Sequence, residues 1–296
     1  MPSAGGPVVR IPGMSSETTV PVRRVTPEGA SGEDDRLAVE EPMEIRVAFG
    51  PEGARSARSL SVTMRTPGHD FELAVGFLFT EGILARTDEV RDVAFCGPPA
   101  PGQDHANIVR VDLAEGVEVD LGKLQRHFFT SSSCGICGKA SLDALHVHGL
   151  RATDPARPRV RAEVVHRLPE ILRAGQPVFD RTGGLHAAAL VDSEGGLLAL
   201  REDVGRHNAV DKLIGRRFLD GEADLADHVM VVSGRTSFEI LQKALVASVP
   251  MIVAIGAPSS LAVELADKFG MTLVGFASDR RFNVYTGRHR IVEGSC

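Results

Sequence analysis

The sequence predicts an α/β protein: a mixed sheet with helices on both faces, joined to a smaller β-rich part on its N-terminal side. Three observations support this. Short, wholly apolar runs recur at Val229-Met230-Val231-Val232, Met251-Ile252-Val253-Ala254-Ile255 and Thr272-Leu273-Val274-Gly275-Phe276. Stretches of helical periodicity separate them, at about 237–248 and 260–269. Strands apolar on both sides are covered on both sides, as in a sheet that is at least partly parallel. Before residue 115, by contrast, Met43–Phe49 and Leu60–Met64 alternate apolar with polar residues, as strands with one wet face do.

Composition narrows the class. With 296 residues, 43% hydrophobic, and 31 glycines, the chain has the make-up of a soluble protein of one or two domains. A net charge of −6 argues against general nucleic-acid binding. No apolar run is long enough for a membrane span. The N-terminal residues do not read as a charged segment followed by a hydrophobic one, so no secretory signal is expected. Four cysteines, only two of them close in sequence, do not make a secreted disulfide framework. The expected location is the cytoplasm.

Taken in order, residues 1–40 are rich in Pro, Gly, Ser, Thr and Glu with little periodicity. They are expected to be a disordered or loosely attached extension. Residues 41–125 form the β-rich part, whose two alternating runs are followed by a turn at Thr66-Pro67-Gly68-His69-Asp70 with Asp70 as a helix cap. Leu73, Ala74, Phe77 and Leu78 share one face of the helix that follows, which stops near Gly82. Val90–Phe95 and Ile108–Val111 read as further strands. Residues 126–296 form the α/β domain, with a strand pair at Leu185–Val191 and Leu197–Leu200 around Gly195-Gly196 and a helix at about 205–218.

At the head of that domain lies Thr130-Ser131-Ser132-Ser133-Cys134-Gly135-Ile136-Cys137-Gly138-Lys139. Small, polar residues surround two cysteines, and Ala140, Leu142, Ala144 and Leu145 after them have helical spacing. A thiolate gains from a helix N-terminus and from a nearby Lys139. The pair can chelate a metal, cycle as a disulfide or hold sulfur as a persulfide. A closed zinc site needs four ligands, and a second CxxC is missing; His146, His148 and His186 could complete a mixed site. Deamination is disfavoured, because Ser133 precedes Cys134 where zinc deaminases have Pro, and His186-Ala187-Ala188 lacks their Glu. A thioredoxin-like cycle fits the spacing but not the mid-chain position. A persulfide carrier fits the setting better, though the spacing by itself does not decide.

Three predicted strand ends carry polar turns: Arg201-Glu202-Asp203-Val204-Gly205-Arg206-His207-Asn208, Ser233-Gly234-Arg235-Thr236-Ser237 and Gly256-Ala257-Pro258-Ser259-Ser260. Ligands of open α/β sheets bind beyond the carboxyl ends of strands. A Gly joined to Ser, Thr or Asn at a helix start suits an anion, although for any one turn ordinary capping explains it as well. Arg206 and Arg235 are the candidates for phosphate contacts, with Ser233 and Gly234 as further ligand-binding candidates. Near the C-terminus Arg280, Arg281, Arg288 and Arg290 flank the only tyrosine, Tyr285. Phe282, Val284 and Thr286 alternate like a last strand, which would hold a basic patch near the sheet, suited to a polyanionic ligand with flat rings.

Ser131–Lys139 closely resembles the signature of the formate dehydrogenase accessory sulfurtransferases, the FdhD family. So do Thr66–Asp70, Phe77–Gly82, Glu202–Lys212, Ser233–Arg235, Gly256–Ser259 and Phe282–Gly287, in order over residues 43–291. The resemblance implies a cytidine-deaminase-like fold and a homodimeric, cytoplasmic sulfur carrier. Such a carrier accepts sulfur from a cysteine desulfurase and passes it to the molybdenum (or tungsten) cofactor in its bis-guanine-dinucleotide form, for formate dehydrogenase. The cofactor is a bound substrate in that reading, and no resident metal is expected. It implies Cys134 as the persulfide cysteine, Cys137 as the assisting thiol, and Phe282, Asn283, Val284, Tyr285, Thr286 and Gly287 as cofactor contacts.

Overall fold

The computed structural model describes residues 14–99, 106–117, 119 and 150–294. Strands β1 (Glu17–Thr26) and β2 (Gly29–Ala38) pair antiparallel over their full ten residues. Part of the expected loose extension is therefore a regular hairpin. Its strands escape sequence reading because both faces of the ribbon are largely wet, so no apolar alternation marks them. The Arg181 guanidinium ties it to the body through Glu17, at 2.7 Å.

Strands β3 (Glu41–Phe49), β4 (Ser56–Arg65), β5 (Val90–Phe95) and β6 (Ile108–Leu113) form a four-stranded sheet in the order β4-β3-β6-β5. Met43, Ile45, Val47, Leu60, Val109 and Val111 are buried in it. Helix α1 (Asp70–Thr80) follows β4. Asp70 does not cap it: the N-cap is His69, in left-handed conformation at φ 59°, and the Asp70 side chain lies inside the first turn. The reason is Arg65, a fully buried cation whose guanidinium donates to both Asp70 oxygens at 3.0 and 3.1 Å. A buried charge demands a partner, and that demand outweighs capping.

Helices α2 (Ala162–Ala174) and α3 (Pro177–Thr182) occupy a stretch to which the sequence reading gives no element. Val164, Leu168 and Leu172 repeat every four residues and are buried, but Pro169 inside the helix breaks the pattern. Then come β8 (His186–Val191), β9 (Leu197–Asp203), α4 (Arg206–Leu219), β10 (Val229–Val232), α5 (Phe238–Val246), β11 (Met251–Ala254), α6 (Ser260–Lys268), β12 (Thr272–Gly275) and β13 (Asn283–Thr286). A short parallel pair joins β7 (Val160–Arg161) to β14 (Ile291–Val292).

The large sheet has the order β13-β12-β11-β10-β8-β9. Strands β10, β11 and β12 are parallel; β8 and β13 run against their neighbours, and β9 runs against β8. Alternate side chains go to opposite faces. Ala187, Ala189, Val191, Val229, Val231, Met251 and Val253 pack with α2. Ala188, Leu190, Met230, Val232, Ile252 and Ala254 join the core formed with α1, α4, α5 and α6. Helices thus cover both faces, as expected, but unequally. Among the described residues no helix is long and apolar enough to cross a membrane.

Helices α1 and α4 cross at two glycines. A methyl group on Gly76 would lie 1.9 Å from the Asp211 carbonyl oxygen, and one on Gly215 would lie 1.9 Å from that of Glu72. This crossing fastens the small sheet to the large one.

Candidate functional site

The strand directions decide where the site lies. Strands β9, β10, β11 and β12 end at the edge of the large sheet where β8 and β13 begin. The turns after β10 and β11 are laced together there: Gly256 N–H donates to Gly234 O at 3.3 Å, Thr236 N–H to Ala257 O at 3.1 Å, and Ser259 N–H to Thr236 O at 3.0 Å. Phe276 N–H adds β12 by donating to Gly256 O at 3.1 Å. Gly256 is required by closeness, since a methyl group there would stand 2.8 Å from Arg235 N.

Arg206, Ser233, Gly234 and Arg235 therefore meet at one edge, as the sequence suggests. Their freedom differs. The Ser233 hydroxyl accepts from Ala187 N–H at 2.9 Å and pins β10 to β8. Arg206 is half-buried and its buried Nε has no hydrogen-bond partner. Arg235 is exposed. The third turn behaves as a cap: Ser259 Oγ accepts from Ala262 N–H at 3.2 Å.

Beneath the first turn lies a closed polar network. Asp203, with no exposed surface, accepts from Lys212 Nζ at 2.7 Å, Thr66 N–H at 3.1 Å, Gly205 N–H at 2.8 Å and Asn208 Nδ2 at 3.0 Å. Lys212 also donates to Thr66 O at 2.8 Å. Asp203, Asn208 and Lys212 thus hold the start of α4, and Arg206 with it, against the turn after β4.

The last strand is divided. Phe282 and Val284 pack on the core beneath α2, with the Phe282 ring 4.8 Å from the His166 ring. The Thr286 hydroxyl donates to Met271 O at 2.8 Å and accepts from Leu273 N–H at 3.1 Å. Gly287 has φ +65°, and a methyl group on it would meet Thr272 Oγ1 at 2.3 Å. These four side-chain positions are committed to the fold. Asn283 and Tyr285 are exposed. The Tyr285 ring and Pro258 both lie close over Gly275, where a methyl group would stand 3.0 Å from Tyr285 Cε2 and 2.9 Å from Pro258 Cδ. Beside it the apolar Ile255 and Phe276 are also exposed at the ends of β11 and β12.

Arg290 does not belong to the expected basic patch. It has no exposed surface and donates to the carbonyl oxygens of Arg157, Asp154 and Gly270 at 3.0, 2.6 and 2.7 Å. It clamps the segment before β7 to the start of β12. Arg280, Arg281 and Arg288 remain exposed.

Three polar side chains join the edge without having been nominated for it. His207 Nε2 lies 3.2 Å from Ser237 Oγ and 2.9 Å from Glu239 Oε2. That hydrogen bond holds the Glu239 carboxyl below its usual pKa, against the effect of burial. His186 opens β8, and burial, then the charges of Arg206 and His207, lower its pKa below the ordinary value. The sequence signals His186 only as a possible metal ligand; its place beside Arg206 depends on the antiparallel direction of β8. Cys134, Cys137, Lys139, His146 and His148 lie outside the described residues.

Fold and edge define a class: an α/β protein with free guanidinium groups and exposed rings at the mouth of its sheet. The chain belongs to the FdhD/NarQ family, whose model matches residues 38–292. A Streptomyces avermitilis protein named sulfur carrier protein FdhD is 49% identical over 272 residues, covering 91% of this chain and 94% of that one. A Mycobacterium tuberculosis protein of the same name is 47% identical over 274 residues, covering 91% and 96%. The fold matches the crystal structure of a candidate formate dehydrogenase accessory protein from Desulfotalea psychrophila. The TM-score is 0.69 at 22% identity, over 94% of this chain and all of that one.

Proposed function

We propose that this protein is a sulfur carrier serving formate dehydrogenase. It takes sulfur from a cysteine desulfurase as a persulfide on Cys134 and delivers it to the bis-guanine-dinucleotide form of the molybdenum cofactor, its bound substrate. The cytidine-deaminase-like fold label, a homodimer and a cytoplasmic location belong to the same proposal, and all come from the family resemblance. The observation that supports it best is the strand-end edge. Arg206 and Arg235 suit the pyrophosphates of a dinucleotide, and the exposed rings of Tyr285 and Phe276 suit a flat heterocycle.

In the first step the Cys134 thiolate attacks the terminal sulfur of the desulfurase persulfide. The sulfur–sulfur bond there breaks, a Cys134 persulfide forms, and the desulfurase cysteine leaves as a thiolate, with no net oxidation. Cys137 then relays the sulfur, becoming the persulfide as Cys134 leaves as a thiolate, or closes a disulfide with Cys134 that releases the outer sulfur as hydrosulfide.

Intact-protein mass after incubation with a desulfurase and cysteine tests this. The expected result is a reducible gain of one sulfur, absent in Cys134→Ala. A folded protein with free thiols and no gain would overturn the carrier reading, leaving a module that binds the cofactor without sulfur chemistry.

A further inference from the structure

His186 is set apart from the other histidines of this edge. His207 is engaged by Ser237 and Glu239, and His166 Nδ1 lies 3.0 Å from Ser278 O. Neither ring nitrogen of His186 has a hydrogen-bond partner among the described residues. The side chain is half-buried, and its ring nitrogens still reach the surface of the edge, open to a ligand. Its ring lies against Gly234. A methyl group there would stand 3.3 Å from His186 Nδ1 and 3.8 Å from Arg206 Cδ, so the glycine leaves imidazole and guanidinium side by side. The second unbonded group is on that neighbour, the buried Nε of Arg206.

The charges around the ring are Arg206 and His207 from α4 and Asp203 from β9. Asp203 is already satisfied by Lys212, Thr66, Gly205 and Asn208. Glu239 lies beyond His207 and is paired to it. Among the described residues no carboxylate is left to answer the two donors, and an anionic ligand is the complement they lack.

We propose that His186 contacts the ligand of this edge, donating a ring N–H to an anionic group seated beside Arg206 and Gly234 and taking up a proton as that group binds. The inference rests on the edge being the ligand site. In the free protein burial and Arg206 favour the neutral ring. A bound anion reverses the balance, so affinity must rise as the pH falls towards the range where the free ring titrates.

The probe is a diguanosine pyrophosphate diester, whose phosphates stay fully ionised from pH 5 to pH 8. The His186 ring signal in the NMR spectrum, assigned with His186→Gln, is titrated in the wild-type protein with and without saturating probe. The midpoint is expected to rise by about one pH unit on binding, and calorimetry to show about three- to fivefold tighter binding at pH 6 than at pH 8. In His186→Gln that pH dependence should fall to less than about twofold. Should the variant not fold, the ring signal is assigned from through-bond spectra of the wild-type protein, and the wild-type midpoint decides alone. Binding with an unchanged midpoint overturns the role of His186 only. No binding at any pH overturns the edge as ligand site and this inference with it, while the sulfur gain on Cys134 stands or falls separately.

Discussion

At the scale of single residues, charge is placed where the interior can answer it. Glu72, on α1, lies under the edge strand β9, where Arg201 Nη2 donates to it at 2.7 Å and His69 Nδ1 stands at 3.3 Å. Burial opposes its ionisation, but the bonds from Arg201 and His69 prevail and hold its pKa down at about 2, from 4.5. A carboxyl whose pKa falls on folding stabilises the fold fully above its unfolded value and loses that contribution as the pH drops through the folded one. The loss is therefore expected between pH 4.5 and pH 2, and amounts to about 3 kcal/mol. Denaturant unfolding followed by circular dichroism should show it, and Glu72→Gln should be less stable at pH 7 with a shallower acid slope. An equal slope in the variant would refute the assignment.

Lys243 follows the same rule. Sealed in the core, it reaches Asp211 at 3.0 Å, Glu81 at 3.2 Å and Thr80 Oγ1 at 3.0 Å. Burial works against its charge, but Asp211 and Glu81 outweigh that and raise its pKa above the ordinary lysine value.

At the scale of elements, the decisive contact is the crossing of α1 and α4. Glycine inside a helix costs about 1 kcal/mol against alanine, so two of them at mid-helix need a reason. The reason is backbone approach: neither Gly76 nor Gly215 has room for a methyl group. Gly76→Ala should destabilise by about 3 kcal/mol or more, beyond the usual range for overpacking, because the obstructing atom is a main-chain carbonyl with no rotamer to change. Adding Gly215→Ala should cost less than its own single effect, since the helices are then already apart. Urea unfolding of the two single variants and the double variant checks both statements. Both glycines stand out in the sequence as interruptions of helical runs, but nothing there pairs the one with the other.

At the scale of the whole molecule, the large sheet sorts β13 into a packed side and an exposed side, and the proposed function makes the exposed side the one that meets the ligand. Tyr285→Ala should weaken binding of a guanine dinucleotide by about tenfold, the usual worth of one stacked base, with the unfolding midpoint unchanged. Phe282→Ala should do the reverse, losing about 3 kcal/mol of stability as the core under α2 opens, with affinity kept. Calorimetry of binding and of unfolding on both variants measures the two sides. Equal effects of the two substitutions on affinity would mean that the strand is not divided in this way.

What the sequence determined by itself is what local pattern encodes. Apolar runs at 229–232, 251–255 and 272–276 declared buried strands, which the structure places at Val229–Val232, Met251–Ala254 and Thr272–Gly275, and the amphipathic stretches between them declared helices. Glycine and serine at strand ends marked the edge, and the ordered series of motifs marked the family. Tertiary structure decided what depends on direction and on partners far along the chain. The antiparallel course of β8 put His186 beside Arg206, and the start of β12 turned Arg290 from a surface charge into a buried clamp. The wet hairpin β1–β2 and the proline-interrupted α2 went unread for the same cause. Periodicity reports burial only where burial is one-sided and unbroken, and which residues meet is set by the path of the chain in space.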